Sequence, residues 1–257
     1  MTAKSPYHRL LTLLSILSPL SLLIIWEALA RLHFIDIRLF SSPTLILKAF
    51  IPLLLSGDLL YNTYISVQRV LIGFIAGTVP GILLGISMGL SPFVRSAIEP
   101  MIAATYPIPK LAIMPLILLV FGIGETSKIF TIAIGVFYLV VINTMAGVLN
   151  IDKIYLDVAK NFGASRKNFY LTVALPGALP MIFAGLKLGM GMALILIVAA
   201  EMSASKAGVG WMIWRSYDMF DIEPMFVALI MLSVLGYIFT LLLDRIEAWV
   251  LPWKQQP

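Results

Sequence analysis

Asp157–Pro176 reads "DVAKNFGASRKNFYLTVALP", a stretch with basic side chains, an internal glycine and a terminal Leu-Pro, set between two long apolar segments. Ile154, Val158 and Phe162 recur at helical spacing before Gly163, a residue suited to stop a helix. Ser165 can cap a second short helix carrying Arg166, Lys167, Phe169 and Val173, which ends at Leu175-Pro176. The stretch is therefore a helix-turn-helix loop offering polar and apolar surface. An element lying on lipid headgroups would fit that amphipathicity. A protein partner accounts better for two helices joined by a tight, specific turn.

The surroundings fix where such a loop can lie. Of 257 residues, 60% are hydrophobic and 12% charged, against about 45–50% and about 25% in soluble domains. Several apolar runs of about 20 residues imply an all-α polytopic membrane protein, since backbone polar groups in hydrocarbon must pair internally. Six spans can be read, roughly 11–30, 65–90, 99–121, 129–149, 179–200 and 225–246, in a single transmembrane domain covering 1–257. Between the first two lies an outer segment, 31–64, with an amphipathic helix around Thr44–Ser56. "ALA" at 28–30 after an apolar run imitates a signal-peptide cleavage site, but the run is too long, so the segment is read as an uncleaved first span.

The net charge of +5 comes from cations spread through loops, which suits the positive-inside effect rather than nucleic acid. Lys4, Arg9, Arg95, Lys153, Lys160, Arg166, Lys167, Arg245 and Lys254 fall on one side. Fewer, including Arg31, Arg38, Lys48, Lys128, Lys206 and Arg215, fall on the other. The bias puts both termini and the 151–176 loop in the cytoplasm. With no cysteine and with His8 and His33 far apart, neither a thiolate or histidine metal site nor a nucleophile–base set is supported. No G-x-x-x-x-G-K-[ST] phosphate loop occurs, so ATP hydrolysis and Mg-ATP would belong to another subunit.

Two spans have unusual composition. The second carries Gly73, Gly77, Gly81, Gly85 and Gly89, a smooth ridge along which another helix can pack closely. The third contains "YPIPKLAIMPL" at 106–116, where Pro107, Pro109 and Pro115 each remove a helix donor. Lys110 lies near mid-membrane, where a charge costs roughly 2.5–3.5 kcal/mol even on lenient scales. Broken backbone and charge at that depth are tolerated where they face protein or a wet cavity. Lys110 thus reads either as a pathway residue facing an anionic solute, with Tyr106 and Glu201 as further candidates, or as half of a structural ion pair with Glu201.

The opening loop resembles the "EAA" motif of binding-protein-dependent ABC importer permeases: Glu-Ala-Ala, three residues, Gly, nine residues, Ile-x-Leu-Pro. Here Asp157-Val158-Ala159 is followed by three residues, Gly163, nine residues and Val173-Ala174-Leu175-Pro176. Asp for Glu shortens the acidic arm, which puts its expected ion pair in question. "QRVLIGF" at 68–74, "FGIGETSKIF" at 121–130, "FGASRKNF" at 162–169 and "AAEMSASKAGVGWMI" at 199–213 resemble the nitrate/sulfonate/taurine/bicarbonate subfamily.

The resemblance implies a type I importer permease fold. It implies two ABC ATPase subunits docked on the cytoplasmic loops, a second permease copy, and a periplasmic or lipid-anchored solute-binding protein at a bacterial inner membrane. Asp157 and Ala159 would lie on the docking helix, with Gly163 at its turn and Leu175-Pro176 leading back to the membrane. The subfamily's solutes include nitrate, bicarbonate, taurine, alkanesulfonates and vitamin-precursor pyrimidines, and the mid-membrane lysine favours an anion of sulfonate type. A secondary transporter or channel would show paired broken helices in internal repeats, whereas one clearly broken span is visible. An assembly subunit would explain the glycines but not Lys110 or the loop spacing.

Overall fold

The computed structural model describes residues 6–253, apart from the side chains of residues 6–13, 15, 16, 160, 166 and 167. The side chains of Lys4, His8, Arg9, Lys160, Arg166, Lys167 and Lys254 therefore lie outside the described residues. Every regular element among the described residues is helical. In chain order these are α1 (Pro6–Arg31), α2 (Ile37–Phe40), α3 (Pro43–Leu55), α4 (Asp58–Leu90), α5 (Pro92–Thr105) and α6 (Met114–Phe121). There follow α7 (Glu125–Leu149), α8 (Lys153–Asn161), α9 (Arg166–Phe169), a π-helical turn (Tyr170–Ala174), α10 (Leu175–Ala204), α11 (Val209–Asp218) and α12 (Ile222–Val250).

Among the described residues, α4, α7, Tyr170–Ala204 and α12 are long and apolar enough to cross a bilayer. At its start α4 overruns the apolar run read from the sequence, and the polar Asn62 there is buried inside the protein. The predicted third span is two short helices, α5 and α6, separated by the irregular segment 106–113. Pro115 falls in the first turn of α6, where no helix donor is required.

The chain divides into two compact units, one formed by residues up to Leu60 with Met212–Ile230, the other by Tyr61–Trp211 with the residues from Met231 onward. In the first, the Trp26 indole donates to the Ser41 carbonyl at 3.1 Å, and the Trp26 and Phe40 rings lie 5.6 and 5.5 Å from that of Phe226. The helix expected around Thr44–Ser56 is α3. Ser42 Oγ accepts from Leu45 N at its start, and Glu27 accepts from both Thr44 N and Thr44 Oγ1. Just outside, the Arg38 guanidinium forks onto Asp36 and holds that carboxyl below its usual range.

In the second unit the five glycines of α4 face one helix. A methyl group at Gly73, Gly81 or Gly85 would press on Ile132, Val140 or Thr144 at 3.0 Å or less, and at Gly77 and Gly89 on the Ala133 carbonyl and Val148. The partners advance in step along α7, so α4 and α7 run parallel with their backbones close. On the next face of α7, Gly147 meets Met181 and Ala178, Gly185 meets Asn143, and Gly135 meets Leu196, an antiparallel seam with α10. Val70, Phe74, Ile132, Val136, Val140, Met190, Ala193 and Ile197, with Leu235, Phe239 and Leu243 of α12, form the core between these helices.

Candidate functional site

The hairpin read from the opening stretch is built by local chemistry. Asp152 Oδ1 accepts from Ile154 N at 2.9 Å and starts α8. At the other end Gly163 adopts φ +65°, and Ala164 N donates to Ala159 O at 3.0 Å while Phe162 N donates to Val158 O. This is a glycine-terminated helix stop in which the last carbonyls are satisfied by the reversing chain. Nothing lies within 4 Å of where a Cβ on Gly163 would sit, so the glycine is required by backbone conformation alone. Ser165 Oγ then accepts from Asn168 N at 3.3 Å, capping α9. The π-helical turn joins α9 to α10, so the second arm of the hairpin and the span are one continuous rod through Leu175-Pro176.

The apolar row of α8 and of Phe162 just beyond it does not fold back into the protein. Ile154 is 66% exposed, Val158 49% and Phe162 87%, and Asp157 is exposed among them. Ala159 is buried. Under the hairpin opens a cleft of about 660 Å³, lined by Tyr155, Val158, Ala159, Val173, Pro176 and Trp253 among others.

The broken span brings Lys110 and Tyr106 together. Pro109 has no N–H, so the Thr105 carbonyl lacks the donor that a continuing helix would supply four residues on. That carbonyl accepts instead from Ile108 N at 3.3 Å and from the Lys110 Nζ at 3.0 Å, and the Nζ also donates to the Tyr106 carbonyl at 3.1 Å. It lies 4.1 Å from the centroid of the Tyr138 ring. The Tyr138 hydroxyl in turn donates to Thr105 Oγ1 at 2.9 Å.

Glu201 is placed elsewhere. It is fully buried and its carboxylate accepts from Arg69 Nη1 at 2.7 Å, from Ser66 Oγ at 2.8 Å and from Gly210 N at 2.8 Å. Arg69 also reaches Glu125 through Nε and Nη2, and the Ala207 carbonyl through Nη1 at 2.7 Å. Gly208 N donates to Asn62 Oδ1 and Val209 N to Ser66 Oγ, both at 2.8 Å. Neither sequence expectation for Glu201 fits this geometry: its cation is Arg69 rather than Lys110, and both carboxylate oxygens accept from the protein with no surface exposed to a solute. The carboxylate is the counter-charge that clamps the 205–210 loop onto α4 and α10. Sequence reasoning passed over Arg69, Ser66, Asn62 and Tyr138. The available signal was an arginine in an apolar helix, which at that depth requires a carboxylate partner.

Apolar helices that pack through small residues, a span broken at a lysine, and an exposed amphipathic hairpin continuous with a span define a multi-pass transport subunit. Residues 81–252 match the family described as binding-protein-dependent transport system inner membrane component. The chain is 32% identical over 237 residues to the taurine transport system permease protein TauC of Escherichia coli (strain K12), covering 90% of this chain and 86% of that one. It is 32% identical over 239 residues to the putative aliphatic sulfonates transport permease protein SsuC of Bacillus subtilis (strain 168), covering 93% and 87%. It is 33% identical over 248 residues to the nitrate import permease protein NrtB of Synechocystis sp. (strain ATCC 27184 / PCC 6803 / Kazusa), covering 91% and 88%. In fold it is similar to the MetNI methionine ABC transporter in its inward-facing conformations, with a TM-score of 0.67, 17% identity, and coverage of 76% of this chain and 97% of that one. The chain belongs to the binding-protein-dependent transport system inner membrane component family; it is a permease subunit of an ABC importer with the type I permease fold.

Proposed function

We propose that this chain forms one half of the translocation pathway for a small solute bearing a monovalent oxoanion group, and that its 151–176 hairpin seats on a separate ATPase subunit. The exposed row Ile154, Val158 and Phe162 carries the docking assignment. An apolar stripe on a short, water-facing helix that is locked by its own cap and stop is surface kept for a protein partner. The assembly that follows has two ATPases holding Mg-ATP, two copies of this permease, and a solute-binding protein on the opposite face of a bacterial inner membrane, with both termini cytoplasmic. ATP binding draws the ATPases together, and the rod through the π-helical turn carries their motion into α10. The equilibrium between inward-open and outward-open forms is then biased by ATP and by the loaded binding protein.

The named solutes of the relatives, taurine, aliphatic sulfonates and nitrate, support a sulfonate-, nitrate- or bicarbonate-like cargo. The docking half is tested by co-purifying the detergent-solubilised chain with the ATPase encoded beside it, comparing wild type with Gly163→Pro. Proline cannot adopt the positive φ of this turn. Association in the wild type that is lost in the variant is the expected result. Equal association in both would remove the hairpin from the interface.

A further inference from the structure

We propose that Lys110, Tyr138 and Thr105 form a station for the oxoanion group of the solute, in which the anion replaces the Tyr138 ring as the third partner of the Lys110 ammonium. The inference rests on the anionic-solute reading above and adds the residues and the charge that the site accepts.

The ammonium has three N–H directions and three neighbours: the carbonyls of Thr105 and Tyr106 and the face of Tyr138. None of the three carries a charge. Among the described residues no carboxylate lies within 4.0 Å of Lys110, whereas Arg69 has Glu125 and Glu201, Lys128 has Glu125, and Lys187 has Asp244 and Glu247. An ammonium met in an apolar span by dipoles alone has no counter-charge within reach, and a passing anion completes it at no cost in broken ion pairs.

The three neighbours also differ in how easily they leave. The two carbonyls belong to the backbone where Pro109 breaks the span, and they stay. The ring belongs to a side chain, held at this break by one hydrogen bond from its hydroxyl to Thr105 Oγ1 and by contact with the Tyr106 ring at 6.0 Å, and it can turn about its own bonds where the backbone cannot. Thr105 Oγ1 itself donates to the Met101 carbonyl at 2.6 Å, so it can only accept from Tyr138. When the ring swings off, the phenol hydroxyl is released as a second donor for the same anion. One ammonium and one hydroxyl match one negative charge with several oxygens, as on a sulfonate, nitrate or bicarbonate. A dianion would leave a charge unpaired in the apolar span.

The test uses the whole importer, this chain with its ATPase and binding protein, in proteoliposomes. Labelled nitrate, bicarbonate and methanesulfonate serve as probes, with uptake and ATP turnover read on the same vesicles. Lys110→Gln keeps a donor for the Thr105 carbonyl and removes the charge, Lys110→Arg keeps the charge, and Tyr138→Phe keeps the ring and removes the hydroxyl. Expected are a loss of uptake of about tenfold or more in Lys110→Gln, substantial uptake in Lys110→Arg, and a severalfold higher KM in Tyr138→Phe. Uptake by Lys110→Gln within about twofold of wild type, while the wild type imports an anion, overturns the station and leaves the anionic reading intact. A wild-type importer that moves none of the three anions overturns both. Should Lys110→Gln not assemble, an unchanged KM in Tyr138→Phe overturns the station on its own.

Discussion

Arg69 and Lys110 are both cations in apolar helical segments, and the fold treats them in opposite ways. Around Arg69 it gathers two carboxylates, a carbonyl and a loop whose backbone N–H groups complete the same network. Around Lys110 it offers two carbonyls and an aromatic face, and no opposite charge among the described residues. A charge retained for architecture is neutralised within the chain, because a buried charge without a partner is among the most expensive features a fold can carry. A charge left with dipoles alone is available to something that arrives from outside.

Removing the counter-charge from the first region gives the largest expected effect. Glu201→Ala removes the acceptor of the Gly210 N–H, the Ser66 hydroxyl and one Arg69 N–H, while Arg69 keeps Glu125, and should destabilise the protein by about 3–4 kcal/mol, read as a fall in the denaturation midpoint of the detergent-solubilised chain. A variant as stable as wild type would erase the contrast between the two cations. Gly208→Ala attacks the same network from the backbone. Gly208 has φ +120°, and a Cβ there would fall on the Glu201 carboxylate. The backbone conformation alone costs about 1–3 kcal/mol, so the same midpoint should fall, by less than in Glu201→Ala.

Gly163→Ala sharpens the comparison differently. Its φ of +65° is left-handed but its surroundings are empty, so the expected cost is about 1–2 kcal/mol, paid by the turn alone. ATPase co-purification should weaken while the denaturation midpoint of the spans holds. Smallest of all is Lys110→Gln, which keeps one donor at the break and should cost no more than about 1 kcal/mol, the scale of a single hydrogen bond. A midpoint loss comparable to that of Glu201→Ala would make the two cations alike.

The features legible in the sequence are those written in local chemistry. The hairpin followed from the spacing of Ile154, Val158 and Phe162 to Gly163, because a left-handed stop and a serine cap act within a few residues. The break in the third span followed from Pro107 and Pro109, which remove donors wherever they stand. Glu201 was misread because its depth and charge are local facts, while its partner Arg69 lies 132 residues away and no periodicity encodes such a pairing. Tyr138 was missed because a tyrosine in an apolar helix is ordinary until a lysine from another element is laid on its ring. The π-helical turn had no signal either: Tyr170, Leu171, Val173 and Ala174 all suit an uninterrupted α-helix.

That turn has a consequence for the mechanics of the subunit. A π-helical turn closes its hydrogen-bond ring over one more residue than an α-turn, and each residue advances an α-helix by about 100° and about 1.5 Å. The extra residue between Phe169 and Leu175 therefore sets the compass bearing of the hairpin around the axis of α10, independently of the sequence on either side. Excising it would leave both the docking face and the span intact, but point one away from the other by roughly a quarter turn, as a key cut correctly and mounted askew on its shaft.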